Sequence, residues 1–217
     1  MLDAALASLI LAAVIFIVHR VGVEMRYNWQ WPVILQYLVR VDGAHWAAGT
    51  LMQGFLTTVK LSLWATVLAT LLGTLMGLFR VSRGLFYRLI AGSYVEVVRN
   101  LPPLVLVFIV YFFIGERIMT LFGVEHFVRT ASPEAQKFLA ILFAPPARLS
   151  GFFAGLATLV LYEAAYITEI VRAGIESIEK GQWEAARALG LSRWQQLRFV
   201  ILPQALQKIL PALAGQL

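Results

Sequence analysis

Cysteine is absent from this 217-residue chain, which excludes disulfides, thiolate metal sites and cysteine nucleophiles. Charge is scarce: Asp, Glu, Lys and Arg make up 14% of the residues, against about a quarter in a soluble domain. The three histidines, His19, His45 and His126, stand apart from one another without metal-ligand spacing and read as structural; no metal site is expected. No GxxxxGK[ST] run occurs, so the chain carries no P-loop and is not itself an ATPase. HExxH, GxSxG and kinase signatures are missing as well, and the chain is not expected to be an enzyme. There is no internal repeat of about 20 to 50 residues and no low-complexity tract. The N-terminus lacks a basic region and carries Asp3, the opposite of a cleaved signal peptide.

What is present is oil. Hydrophobic residues make up 60% of the chain and mean hydropathy is +0.77, in several long apolar runs. The expected fold is an all-α, polytopic membrane helix bundle. The net charge of +6 sits mostly in loops between those runs, so it is read as membrane topology, and no nucleic-acid partner is expected. A first span is placed at residues 4–19. Residues 20–49 follow, rich in Tyr27, Trp29, Trp31, Tyr37 and Trp46, with the chemistry of a membrane interface. These 49 residues form an N-terminal segment of their own, and residues 50–217 form the main membrane domain.

Within that domain a second span covers 57–79, with Lys60 in its first turn placed to snorkel. Gly73 and Gly77 are a small-xxx-small pair suited to close helix contact, and Gly151 and Gly155 repeat the spacing. The loop RVSRGLFYR, from Arg80 to Arg88, holds three arginines, Arg80, Arg83 and Arg88, and no acid, which places it in the cytoplasm, the N-terminus with it. A third span over 93–115 is interrupted by Pro102 and Pro103, where the helix should restart with Asn100 near its cap. Residues 116–148 form a polar connection on the far side, with a helix start at Ser132-Pro133-Glu134. A fourth span covers 151–175.

The stretch EAARALGLSRWQQLRFVILP, residues 184–203, is polar in this setting. Glu184 to Leu189 is a strong helix run, Gly190 suits a left-handed helix end, and Ser192 with Gln195 forms a capping box. Trp194, Leu197 and Ile201 are expected on one side of the second helix, with Pro203 bending it as the chain re-enters the membrane. Two short helices at a fixed angle make a stiff lever, with Trp183, Leu189 and Trp194 as apolar anchors.

The spacing Glu184-Ala185-Ala186, three residues, Gly190, nine residues, Val200, one residue, Leu202-Pro203 resembles the EAA loop of ABC-importer permeases, with Val200 where Ile is usual. YVEVVRNLPPL, residues 94–104, and AYITEIVRAGIESIEKGQWEAARALGLS, residues 165–192, are similar to the polar amino-acid branch, which imports glutamate, glutamine, histidine, arginine and similar solutes. The resemblance covers roughly residues 50–217. It implies a type I importer permease fold in the bacterial inner membrane and a cytoplasmic coupling loop, residues 176–203, that docks on an ABC ATPase subunit. Gly181, Glu184, Ala185, Ala186, Gly190, Val200, Leu202 and Pro203 would carry the coupling. ATP and its magnesium would be bound by that partner, so no cofactor is expected in this chain. The other implied partners are a periplasmic solute-binding protein, a second permease copy (homo- or heterodimer) and an amino-acid solute, with glutamate/aspartate or a broad polar range favoured. Family members continue past Leu202-Pro203 and end in another span, so the resemblance implies that C-terminal span is missing here.

Four further groups are candidates. Glu163 lies about 18 Å along its span at 1.5 Å per residue. An acid at that depth is expensive, and fits either a solute contact or a structural pair with Lys60 or another helix. Asn100, Pro102, Glu163 and Tyr166 are candidates for the substrate path. Glu169 and Arg172, and Glu96 and Arg99, are i,i+3 pairs that fit either braces or gates. A competing function is an ion-gradient transporter or channel with Glu163 and Lys60 as a charge relay.

Overall fold

The computed structural model describes residues 2–24, 30–42, 45–121 and 123–216. They fall into two compact units, Met1–Leu56 and Thr57–Leu217. Tyr27 and Trp29 of the aromatic segment, and Leu217, lie outside the described residues.

In the first unit, α1 (Leu2–Glu24) is apolar on every side and exposed along almost its whole length. An all-round apolar surface of this kind suits lipid, not water. At 23 residues it is about 34 Å long, enough for a bilayer and longer than the span expected over residues 4–19. A short helix α2 (Pro32–Leu38) then leads into a hairpin of β1 (Val39–Asp42) and β2 (His45–Ala48), with Val39 opposite Ala48 and Val41 opposite Trp46. The hairpin is the one departure from all-α structure among the described residues. Its strands are four residues long, too short for alternation to stand out in a sequence. Trp31 and Trp46 are exposed, as interface aromatics should be.

The second unit is built around α9 (Leu149–Glu176). Ala164, Ala165, Ile167 and Thr168 there are fully buried. The long helix α3 (Thr50–Arg80) reaches α9 through its glycines. A Cβ on Gly73 would lie 2.6 Å from the Ile167 Cβ, and one on Gly77 would lie 2.6 Å from Val171 Cγ1. The Gly73/Gly77 pair thus does what its spacing suggests. The second pair does so only partly: a Cβ on Gly151 would lie 3.1 Å from the Tyr111 hydroxyl, while one on Gly155 would have ordinary room.

Next come α4 (Leu85–Asn100) and α5 (Pro103–Phe108), which meet at a bend of 110°. The residue before a proline is pushed out of the helical region, and Leu101 is accordingly extended. Asn100 closes α4 and does not cap the new helix; the cap position falls to Pro102, with no side-chain hydrogen bond. Val98, Leu106 and Val110 seal this break against Ala165 of α9. That is where broken backbone at membrane depth is tolerated: against protein.

After a wide π turn (Ile109–Gly115), α6 (Glu116–Leu121), α7 (Val124–Thr130) and α8 (Pro133–Leu142) make up the polar connection. Ser132 caps α8 as expected, accepting from the Ala135 amide at 3.2 Å. The other end of α8 is capped from α3. Lys60 Nζ donates to the Ala140 carbonyl at 2.8 Å, and Trp64 Nε1 to that of Leu142 at 3.1 Å. Carbonyls in a last helical turn have no partner of their own, and a cation is favoured there.

The chain finishes with α10 (Lys180–Ala188), the short α11 (Arg193–Gln195), a π turn over Gln196–Ile201 and α12 (Leu202–Gln216). Arg193–Gln216 is one continuous helical stretch, long and apolar enough to cross a membrane, so the helix that carries this segment starts at the capping box and not after Pro203. Proline removes an amide and crowds the carbonyl four residues back. The π turn just before Pro203 opens the helix where that crowding would fall. It also adds a residue to the turn and so rotates the faces. Trp194 is therefore exposed while Ile201 is fully buried, not on the one side the sequence suggested.

Among the described residues, four helices, Ala4–Gly22, Thr50–Arg80, Pro146–Glu176 and Arg193–Gln216, are long and apolar enough to cross a membrane; the bent pair would make five.

Candidate functional site

The polar stretch that stood out in the sequence is a rigid two-helix loop. Helix α10 ends in a left-handed glycine, Gly190, at φ 74°. The Gly190 amide donates to the Arg187 carbonyl at 2.9 Å, and the Leu191 amide reaches back to that of Ala186 at 3.3 Å. This pair of bonds is the Schellman motif, which closes a helix and fixes the direction of the chain leaving it. Two residues on, Ser192 and Gln195 exchange bonds: the Ser192 amide donates to Gln195 Oε1 at 2.8 Å, and the Gln195 amide to Ser192 Oγ at 3.4 Å. Between them Gln196 is buried and donates to the Leu191 carbonyl at 2.7 Å. Every residue of the turn is therefore held from at least one side.

The loop is also tied to the spans. Gln204 of α12 donates to Gln182 of α10 at 3.1 Å, and Lys208 of α12 donates to the Ser177 carbonyl at 3.0 Å. Arg193 lies 3.8 Å over the ring of Trp183, which packs on the α9–α12 core. Of the coupling candidates, Ala186, Val200 and Leu202 face inward to varying degrees, while Gly181, Glu184, Ala185, Gly190 and Pro203 are exposed. Trp183 is half-buried, whereas Leu189 and Trp194 are 78% and 59% exposed, large apolar surfaces on an otherwise polar loop.

Behind the loop lies a charged network. Arg172 holds Glu169 Oε2 through Nη2 at 2.7 Å and Nε at 3.0 Å, and holds Glu176 through Nη1. Arg80, at the end of α3, reaches Glu169 Oε1 at 3.2 Å. The i,i+3 pair is formed, and a third member was not evident from spacing because it lies 89 residues away. The Glu96–Arg99 pair is not formed among the described residues. Arg99 instead stacks over the Tyr166 ring, 5.1 Å from its centre. An aromatic face on α9 attracts this guanidinium, which is exposed on α4.

The path candidates fall into two groups. Arg99, Tyr166 and the proline break meet on one side of α9, where the Tyr94 hydroxyl also donates to the Leu161 carbonyl at 2.6 Å. Glu163 accepts from Gln216 of α12 at 2.7 Å. The Glu163–Lys60 pair is not formed, because Lys60 is engaged at the end of α8. No cluster of three or more potential metal ligands occurs among the described residues.

The family model described as "Binding-protein-dependent transport system inner membrane component" matches residues 69–217. The chain belongs to this family. Its permease relatives include a probable amino-acid ABC transporter permease protein, YckA, of Bacillus subtilis (strain 168), 34% identical over 188 residues covering 87% of this chain and 69% of that protein. The glutamate/aspartate import permease protein GltK of Escherichia coli O6:H1 is 32% identical over 76% of this chain and 65% of its own. A putative glutamine transport system permease protein, GlnP, of Rickettsia typhi is 32% identical over 77% of this chain. The match spans 64% of that relative's length. Among solved structures, the crystal structure of an amino acid ABC transporter with histidines is 30% identical, with a TM-score of 0.53, covering 88% of this chain and 71% of that one. The resemblance carried by the EAA spacing is thus borne out at the level of the family: the chain belongs with the inner-membrane components of binding-protein-dependent transport systems, and its relatives are named as amino-acid permeases.

Proposed function

We propose that the chain is the solute-translocating subunit of an ATP-driven importer of polar amino acids, moved by ATPase partners through residues 176–203. The observation that carries this reading is the stiffness of that loop. Two terminal motifs fix its turn, and side chains of α12 fasten it to the spans. Its outer surface presents Glu184, Leu189 and Trp194. A push on such a unit moves α9 and α12 and does not bend the loop. The loop lies on the cytoplasmic face, the N-terminus on the same side. The partner binds ATP and its magnesium, a solute-binding protein delivers the amino acid, and a second permease completes the pathway.

Co-expression with the ATP-binding subunit tests this. Glu184→Lys and Gly190→Pro are expected to abolish co-purification while each variant still inserts in the membrane. Gly190→Pro places a fixed negative φ where the chain needs a positive one, a strain of about 1–3 kcal/mol confined to the turn. Amino-acid uptake by the chain alone, independent of ATP, would overturn the reading. For the solute path, Glu163→Gln is expected to lower uptake severalfold without loss of assembly, because a glutamine retains an acceptor for Gln216. Undiminished uptake would remove Glu163 from the path.

A further inference from the structure

A cleft of about 510 Å³ opens between the ends of the spans and the two-helix loop. Its wall carries Arg80, Arg88, Arg172 and Arg193, with Glu176 as the acid among its lining residues. Even with Glu169 counted, four guanidiniums face two carboxylates. Arg88 is exposed, and its guanidinium makes no hydrogen bond or ion pair within the described residues. Arg80 Nε is buried and has no acceptor. A buried unpaired donor costs free energy, so the cleft is short of an anionic acceptor.

The position of the cleft says which anion. Arg80 ends one span, Glu176 ends a second and Arg193 begins a third. The arginines therefore sit at a single level, where the apolar lengths of three spans give way to polar chain. Phospholipid phosphates lie at that level. On the first turn of α4, beside Arg88, the side chains Leu85, Phe86 and Tyr87 are 63%, 69% and 48% exposed. Such a patch suits the region where acyl chains meet headgroups. Planar guanidiniums match phosphate oxygens in pairs, which lysines do not.

We infer that this arginine cleft binds the phosphate of an anionic phospholipid, seated between the span ends and the coupling loop. A lipid there fills the gap between α4, α9 and α11 and stiffens the base of the lever. The shared chemistry with free phosphate, or with a carboxylate of a partner protein, is separated by experiment. The full chain is purified in neutral detergent. Its thermal unfolding is followed while phosphatidylglycerol, phosphatidylcholine or inorganic phosphate is added in parallel.

Phosphatidylglycerol is expected to protect and phosphatidylcholine to have little effect. Arg88→Gln is expected to raise the half-protecting lipid fraction about tenfold, with Arg88→Lys intermediate. Arg193→Gln should act in the same direction, but it also removes the cover of Trp183, so Arg88→Gln decides if that variant unfolds. Equal protection by phosphatidylcholine overturns the proposal. So does protection by inorganic phosphate that the lipid does not surpass, which would assign the cleft to a free anion. Unchanged lipid protection in Arg88→Gln, with capture of the ATPase subunit lost, would assign it to that protein and overturn the proposal too.

Discussion

Gly73→Ala and Gly77→Ala are each expected to lower the thermal stability of the chain, while Gly155→Ala leaves it unchanged or raises it. The chemistry of the three changes is identical. Placing alanine for glycine inside a helix gains about 0.5–1 kcal/mol in the backbone alone. At Gly155 the new methyl would meet only Leu61, at 3.9 Å, so the gain stands. At Gly73 it would lie 2.6 Å from Ile167 Cβ and 2.9 Å from the Ala164 carbonyl, and both belong to the α9 backbone or its root. Neither can swing away, so the helices must part. Overpacking of this kind costs about 1–3 kcal/mol. In a membrane no hydrophobic force draws the helices back, because association rests on close packing itself. Parting them also lengthens the bond from the Thr168 hydroxyl to the Gly73 carbonyl, now 3.3 Å, and the Arg80–Glu169 pair one turn further on. The two losses share a cause, so Gly73→Ala/Gly77→Ala should fall short of their sum. Thermal unfolding in one detergent, run on all four proteins, checks the order. Equal stability of Gly73→Ala and Gly155→Ala would show that α3 and α9 do not meet through these glycines.

The features that sequence reading found are those written in a few consecutive residues. Gly190 and the Ser192–Gln195 box are local devices, and their geometry follows from spacing alone. The Gly73/Gly77 contact was legible as a surface without a partner; nothing in the sequence named Ile167 and Val171. The EAA spacing was legible because many fixed offsets fell together. Other contacts were illegible because they depend on how helices cross. Arg99 looked like a partner for Glu96, three residues away, until α9 brought Tyr166 to it. Lys60 looked free to snorkel or to meet Glu163, until the last turn of α8 arrived with open carbonyls. Gly174, packed against Ile209, carried no signal at all, since its partner lies in a span whose direction the π turn resets. That π turn hides in sequence because Pro203 predicts a disruption but not its form.

Glu169→Gln should be the most damaging single change among the charged residues. The carboxylate holds two guanidiniums at once, Arg172 at 2.7 Å and Arg80 at 3.2 Å, with side chains only 18–29% exposed. Arg172 would keep Glu176 as a counter-charge. Arg80 would not: Glu169 is its only acid among the described residues, and its Nε is already without a partner. Stripping the partner from a fully buried ion costs about 3–5 kcal/mol. Part of that is screened here, since each side chain keeps some contact with solvent, and a loss of about 1–3 kcal/mol is expected. The double variant Glu169→Gln/Arg80→Gln removes the stranded charge along with its partner. It should recover much of the loss, leaving a coupling energy of about 1 kcal/mol or more in a double-mutant cycle. Strict additivity would mean that the bridge contributes nothing and that Glu169 serves Arg172 alone. The cycle bears on transport as well as on stability. Arg80 joins the end of α3 to α9 at Glu169, about two turns before the two-helix loop begins. If the loop is a lever, this bridge is what makes α3 follow α9 when the loop is pushed. Glu169→Gln/Arg80→Gln should then regain stability without regaining ATP-driven uptake, a separation that a merely local brace would not produce.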